Sequence, residues 1–208
     1  MTIRILFLGE GTSDGGIAGH VRRIATEQGF DVVITDPLTD RLPPPPRKTI
    51  QGKLQAIKDL GGEYDLLVVH RDADRDGRLH RLDEITKAVT QVMPSVAYVP
   101  VIPIRMTEAW LLLDEKSIRL VAGNPNGRKT LNLPAASRAE SVPDPKELLR
   151  TALVRASELS GRRLDKFKAR FNSHRHQLLE RIEPDGPINQ VRSWCDFVSD
   201  LKSGLTSL

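Results

Sequence analysis

Carboxylates follow three apolar runs of this sequence, namely IRILFL, YDLLVVH and VAYVPVI. In the order of those runs they are Glu10 and Asp14, then Asp72, Asp74 and Asp76, and finally Glu108. If each run is a strand of one parallel sheet, these side chains stand at the carboxyl ends of strands, where open α/β sheets bind ligands. Hard carboxylate oxygens at this density are typical ligands of Mg²⁺ or Mn²⁺. The sequence therefore predicts a site at which such an ion activates water and stabilises a phosphoryl transition state.

The spacing within each acidic segment sharpens this prediction. In an extended segment, Asp72, Asp74 and Asp76 would point to the same side of the chain. We therefore expect Glu10, Asp72 and Asp74 to share one ion, with Asp14 and Glu108 completing a second metal site or positioning water. Glu10, Asp72, Asp74 and Glu108 are then the candidate catalytic residues, and Glu10, Asp14, Asp72 and Asp74 the candidate metal ligands.

Four other interpretations compete with the metal site. Gly9-x-Gly11-x-x-Asp14 resembles a dinucleotide fingerprint, but its acidic residues would face an anionic pyrophosphate. The segment 72–83 resembles a calcium-binding EF-hand loop, although its last position is Asp83 rather than Glu and a strand precedes it. The segment 123–130 resembles a phosphate-binding loop whose second glycine comes one residue early. The acidic run could also be a polar turn that caps the next helix.

The elements that must position these residues alternate along the chain. Apolar runs predict strands at Ile3–Leu8, Asp31–Thr35, Tyr64–His70 and Val96–Ile102, and helical periodicity predicts the segments 12–28, 49–60 and 79–93 between them. This alternation is typical of an α/β fold with a mostly parallel sheet flanked by helices. Pro100 in the last run indicates an edge strand or a bulge. We expect an α/β core over 1–121, a loop or linker over 122–145 and a helical C-terminal extension over 146–208 that packs on the core.

Charge and cysteine content favour a cytoplasmic protein with a polyanionic partner. The net charge is +4, and a basic cluster in 161–181 contains Arg162, Lys166 and Arg170. These residues are spaced i, i+4 and i+8, as on one helix face, just before and within a helix predicted over 164–182. Such clustering favours nucleic acid, and a solvated helix face is the alternative. Cys195 is the sole cysteine, so an intrachain disulfide is excluded. No signal peptide or membrane span is expected.

Two of the segments resemble the toprim domains of topoisomerases, primases and the overcoming-lysogenization-defect nucleases. In these domains one strand ends in Glu-Gly and a later one in Asp-x-Asp, as ILFLGEG and LLVVHRDAD do here. With RMTEAWLLLD at 105–114, DPK at 144–146 and LDKFK at 164–168, the chain is similar to a toprim-like bacterial family, domain of unknown function 4276 (DUF4276). The resemblance implies that Glu10, Asp72 and Asp74 are metal ligands with Asp14 and Glu108 as contributors, and that an ATPase is a partner in a defence or mobile-element system.

Together these observations predict a toprim-like, Mg²⁺-dependent nuclease. The residues expected to contact nucleic acid are Arg75, Arg78, Arg105, Arg162, Lys166 and Arg170. Arginines beside the acidic run, including Arg71 and Arg81, could bind phosphates or balance the carboxylates. No lysine stands out as a catalytic group. The alternative is a non-catalytic toprim-like module that binds nucleic acid or docks a partner ATPase.

Overall fold

The computed structural model describes residues 2–208, apart from the side chains of Thr12 and Asp40. Its strands are β1 (Thr2–Leu8), β2 (Asp31–Thr35), β3 (Leu66–His70) and β4 (Ala97–Val101). They form one sheet in the order β2-β1-β3-β4, and every neighbouring pair is parallel. The predicted α/β fold is thus confirmed. Pro100 lies on the edge strand β4, where the missing N–H costs no central ladder bond.

The helices that connect the strands are α1 (Gly16–Glu27), α2 (Ile50–Asp59) and α3 (Arg78–Val92). Their apolar stripes decide where they pack. Leu54 of α2 and Ile85 of α3 join Leu6 and Leu67 of the sheet in one core cluster. Because side chains alternate along a strand, the intervening residues of β1 and β3 point to the opposite face. The helix α2 begins where the hydroxyl of Thr49 accepts a hydrogen bond from the Gly52 N–H.

After β4 the regular elements of the described residues are helices. They include α4 (Glu115–Val121), α5 (Pro145–Ser157), α6 (Gly161–Lys168), α7 (Phe171–Glu180) and α8 (Arg192–Thr206). A 3₁₀ helix over Thr107–Leu112 is buried throughout. The sequence predicted one helix over 164–182, but α6 ends at Lys168 and α7 begins at Phe171. The break gives the two helices different faces: α7 buries Phe171 and Leu178, whereas no residue of α6 is fully buried.

The chain divides into two compact units. The first consists of Met1–Ile102 and Asp196–Leu208, and the second of Pro103–Cys195. The range of the first unit differs from the predicted core over 1–121 in two ways. Its first segment ends just after β4, and it also includes the part of α8 from Asp196 onwards. Gly204 explains this return to the sheet, because a Cβ there would lie 2.9 Å from Val99 Cγ2. The C-terminal helix thus packs tightly on the face of the sheet opposite α2 and α3.

The second unit is built around the 3₁₀ helix Thr107–Leu112. Within it, the Trp110 indole N–H donates to Ser193 Oγ at 2.9 Å, and the ring meets Trp194 edge-on at 5.2 Å. Both tryptophans are buried. The two tryptophans therefore belong to the core of this unit.

Candidate metal site at the ends of strands β1 and β3

The carboxyl ends of β1 and β3 leave the sheet side by side. Leu8 is in register with Val69, so Glu10 and Asp72 each follow the end of a strand by two residues on neighbouring strands. This adjacency puts two of the predicted carboxylates into one region of the first unit. Burial raises the pKa of the Glu10 carboxyl group, and the charge of Asp72 adds to this rise.

His70, the last residue of β3, is buried between two of the carboxylates. Its Nδ1 lies 3.2 Å from Asp14 Oδ2 and its Nε2 lies 3.4 Å from Asp72 Oδ1. Burial alone would lower the pKa of the ring, but the hydrogen bonds and charges of Asp14 and Asp72 outweigh it and raise the pKa to about 10. The ring is therefore an imidazolium at neutral pH, and it fixes the positions of both carboxylates.

Asp14 is held from a second side by the turn that follows β1. Its Oδ2 accepts a hydrogen bond from the Gly11 N–H at 3.1 Å. Gly9 leaves the turn little spare room, because a Cβ on it would lie 3.1 Å from Asp14 Cβ. Asp14 is therefore a buried support of the His70 ring and of the turn.

Glu10 is partly buried and faces charges of both signs. Burial is the main cause that raises the pKa of its carboxyl group, followed by the charge of Asp72. Arg71 opposes this rise, and its Nη1 lies 2.5 Å from Glu10 Oε1. The same guanidinium reaches Glu84 Oε2 at 3.4 Å. The positive charge of Arg71 thus balances the negative charge of Glu10.

Lys53 of α2 is a site residue that sequence reasoning missed. It is 7% exposed, and its Nζ donates to the carbonyl oxygens of Gly9 at 3.0 Å and Glu10 at 2.9 Å. The pattern of α2 contained the signal: Lys53 comes three residues after Ile50 and four before Ile57, on the apolar stripe of the helix. A lysine on that stripe must find acceptors inside the protein.

The acidic segment after β3 is a turn, so the expectation that its aspartates share one direction is wrong. Ala73 is buried, and its carbonyl oxygen accepts the Gly77 N–H at 3.0 Å. Asp74 has a φ of 48°, in the left-handed region. Asp72 turns to His70, whereas Asp74 and Asp76 turn to Arg81, whose Nη2 lies 3.5 Å and 2.8 Å from their carboxylates.

Arg81 closes a network of charges beside the site. Besides these two aspartates it contacts Glu84 at 3.0 Å through Nη1 and donates through Nε to the Asp72 carbonyl oxygen at 3.0 Å. Since Glu84 also contacts Arg71, the two arginines link the ends of β1 and β3 to α3. Of the two roles that the sequence left open for these arginines, binding phosphates and balancing carboxylates, the structure shows the second.

Two carboxylates, those of Glu10 and Asp72, are the oxygen donors that could bind Mg²⁺ at this site. Within residues 2–208, outside the two undescribed side chains, no group of three or more His, Cys, Asp or Glu side chains is arranged to hold a metal ion. Mg²⁺, however, commonly keeps several waters and binds through one or two carboxylates. Glu10 and Asp72 meet that requirement, because they are hard oxygen donors on adjacent strand ends and repel each other electrostatically.

Glu108 has a different setting from the one predicted. It belongs to the second unit, is 3% exposed, and its Oε1 accepts from Arg175 Nε at 3.0 Å. Arg175 is 5% exposed, so this member of the basic cluster in 161–181 is buried rather than solvated. A buried carboxylate needs such a partner, and the pair packs α7 against the 3₁₀ helix that carries Glu108.

The residues predicted to contact nucleic acid differ in their exposure to solvent and in their contacts within the protein. Arg162, Lys166 and Arg75 are exposed. Arg170 is also exposed but is the N-cap of α7, so the single face with i, i+4 and i+8 spacing is interrupted. Arg78 lies 3.5 Å from Asp196, and Arg105 lies 3.5 Å from the Pro143 carbonyl oxygen. The exposed members are thus Arg75, Arg162, Lys166 and Arg170.

Among the helices of residues 2–208, none combines the length and the apolar character needed to cross a membrane. The toprim resemblance rests on its motifs, since no family model, no curated protein and no solved structure matches the chain.

Proposed function

We propose that the chain is a Mg²⁺-dependent nuclease in which Glu10 and Asp72 hold the metal. The observation that carries the proposal is their position: two carboxylates that repel each other follow adjacent ends of parallel strands. This is where an open α/β sheet binds its ligand. When bound there, Mg²⁺ would activate water and stabilise the charge that develops on a phosphodiester.

The surrounding residues would hold the two ligands in place. His70 orients the Asp72 carboxylate, and Asp14 holds the ring of His70 from the other side. Lys53 fixes the turn that carries Glu10 by binding its backbone carbonyl oxygen. Such supporting contacts decide how well a metal ligand is oriented. Asp74 stays a candidate ligand, and it would have to leave Arg81 to reach the ion.

Nucleic acid is the substrate that the charge of the chain favours. Exposed cations on α6, namely Arg162 and Lys166, could bind backbone phosphates without reading sequence. Arg75 is exposed beside the acidic turn and could do the same nearer the metal site. Arg71 and Arg81, which neutralise the carboxylates, would also attract a polyanionic substrate.

A second candidate is a non-catalytic toprim-like module that binds nucleic acid or docks a partner ATPase. One observation favours it: the carboxylates already have cations of the protein beside them. Arg71 lies 2.5 Å from Glu10 and Arg81 lies 2.8 Å from Asp76. In such a module the ion pairs would replace the metal and the site would be structural.

A cleavage assay separates the two candidates. The protein is incubated with end-labelled single- and double-stranded DNA and RNA, with Mn²⁺ or with EDTA. The nuclease predicts cleavage with Mn²⁺ that Asp72→Asn abolishes and that Asp83→Asn leaves intact, because Asp83 is an exposed partner of Lys87. Absence of cleavage of all four substrates by the wild-type protein, together with retained binding, would support the non-catalytic module instead.

A further inference from the structure

A cleft in the second unit lies between α5, α6 and α7. Its volume is about 560 Å³, within the range of small-molecule sites. Its lining includes the aromatic residues Phe167, Phe171 and His174 and the cations Arg150, Arg155 and Lys168. None of these residues belongs to the metal site proposed above, so the cleft calls for its own explanation.

The aromatic wall of the cleft is ordered by stacking. The rings of Phe167 and His174 lie 4.3 Å apart at an angle of 28°. The guanidinium of Arg150 lies 4.7 Å from the centre of the Phe171 ring. Phe171 and His174 are buried, whereas Phe167 is partly exposed. The wall therefore holds its shape and still leaves part of an aromatic surface accessible to a flat ligand.

Charge in the cleft favours an anion. The lining of the cleft contains three exposed cations, Arg150, Arg155 and Lys168, and one carboxylate, Glu147. Burial and the charge of Arg170 lower the pKa of His174, so its ring stacks as a neutral imidazole at neutral pH. The cleft thus joins an apolar aromatic surface to a positively charged rim.

We infer that this cleft binds a nucleoside phosphate, with the base against the aromatic wall and the phosphate on the cations. Aromatic side chains accept any base by stacking, and arginines bind phosphate through paired N–H groups. The nucleoside phosphate could be a free nucleotide or one unit of a single-stranded nucleic acid. The inference does not depend on the nuclease proposal, because the cleft would bind its ligand without a metal ion.

Isothermal titration calorimetry in EDTA tests the inference with defined probes. Adenosine 5′-monophosphate should bind more tightly than adenosine, which lacks the phosphate, and more tightly than inorganic phosphate, which lacks the base. Phe167→Leu should weaken binding of the monophosphate by about tenfold, the lower range for loss of one stacked base. Lys168→Gln should weaken binding of the monophosphate and leave that of adenosine unchanged.

The matched control is Arg163→Gln. Arg163 is exposed on the same helix α6 and does not line the cleft, so its loss should leave the affinity for the monophosphate within about twofold at moderate salt. Thermal denaturation of each variant checks that the fold is retained. Phe167 is partly exposed, and Lys168→Gln, at an exposed position, provides a second variant should Phe167→Leu fail to fold.

The outcomes are distinct. If single-stranded hexadeoxyadenylate binds more tightly than the monophosphate and loses this binding in the same variants, the result supports the cleft as a binding site and identifies a polymer as its ligand. Equal affinities for the two probes support the cleft as a site for a free nucleotide. Binding of the monophosphate that is no tighter than that of phosphate, or that is equally weakened by Lys168→Gln and Arg163→Gln, would overturn the inference. Failure of the cleavage assay with success here would refute the nuclease alone.

Discussion

Arg71 Nη1 lies 2.5 Å from Glu10 Oε1, so a cation of the protein already pairs with one oxygen of this carboxylate. The two residues come from the ends of neighbouring strands, and the pair is partly buried. A guanidinium and a divalent ion are both attracted to carboxylate oxygens. Arg71 would therefore compete with Mg²⁺ for Glu10.

Replacing Arg71 should strengthen metal binding. In Arg71→Met the competing guanidinium is gone, and we expect the affinity for Mn²⁺ to rise by at least about threefold, the scale of a partly exposed ion pair. Titration calorimetry measures it. Arg75→Met is the control, since Arg75 is exposed four residues further along. An equal rise in both variants would mean that Arg71 acts only through general charge and does not compete at Glu10.

Lys53 should stabilise the fold more than a neighbouring lysine on the same helix. Lys53→Met leaves the Gly9 and Glu10 carbonyl oxygens without their charged donor, and we expect a loss of about 1.5–3 kcal/mol in the free energy of unfolding. Lys58 is exposed and donates to the Val92 carbonyl oxygen, so Lys58→Met should cost about 1 kcal/mol or less. Urea denaturation compares them, and equal losses would show that the Lys53 contacts are unimportant.

The stability of the metal-free protein should fall as the pH rises. The pKa of His70 is raised from 6.5 to about 10, so the charged ring stabilises the folded state fully below pH 6.5 and loses this effect as the pH passes 10. Urea denaturation in EDTA measures the free energy of unfolding between pH 6 and pH 10.

His70→Gln tests the origin of that fall, with His80→Gln as control because His80 is exposed. We expect the difference in stability between the wild type and His70→Gln to shrink as the pH rises, while His80→Gln follows the wild type. A difference that stays constant from pH 6 to pH 10 would show that His70 is not held as an imidazolium between Asp14 and Asp72.

Two helical glycines test the packing of α8 on the sheet. Gly204→Ala would bring a Cβ to 2.9 Å from Val99 Cγ2, and the stiff, buried valine should make this change destabilising by about 1 kcal/mol or more. Gly19 of α1 is exposed with open space around it, so Gly19→Ala should stabilise by about 0.5–1 kcal/mol. Thermal denaturation should rank the wild type between the two variants. A stabilised Gly204→Ala protein would contradict the close packing.

The strand ends were predictable from sequence because their signals are local. Each apolar run is followed within three residues by a charged one, and parallel pairing follows from the helices between the runs. Glu10 and Asp72 could therefore be assigned to one edge of the sheet. Lys53 and His70 were missed because their roles depend on partners distant in sequence: Lys53 contacts residues 43 and 44 positions away.

Other predictions failed where a local turn decides the direction of a side chain. Alternation would align Asp72 with Asp74, but the positive φ of Asp74 reverses the chain and directs it to Arg81. Helical periodicity likewise runs unbroken through Ala169 and Arg170, and neither glycine nor proline marks the end of α6 there. Phe171 is buried directly after the break, whereas no residue of α6 is, so the two helices differ in their tertiary packing rather than in a local sequence signal.

Glu10 and Asp72 should bind one divalent ion together, and a calorimetric titration with Mn²⁺ measures this. We expect one bound ion per wild-type chain, an affinity at least about tenfold weaker in Glu10→Gln and in Asp72→Asn, and an unchanged affinity in Asp83→Asn. Wild-type protein that binds no Mn²⁺, or Glu10→Gln and Asp72→Asn proteins that bind it as tightly as the wild type, would refute the shared site.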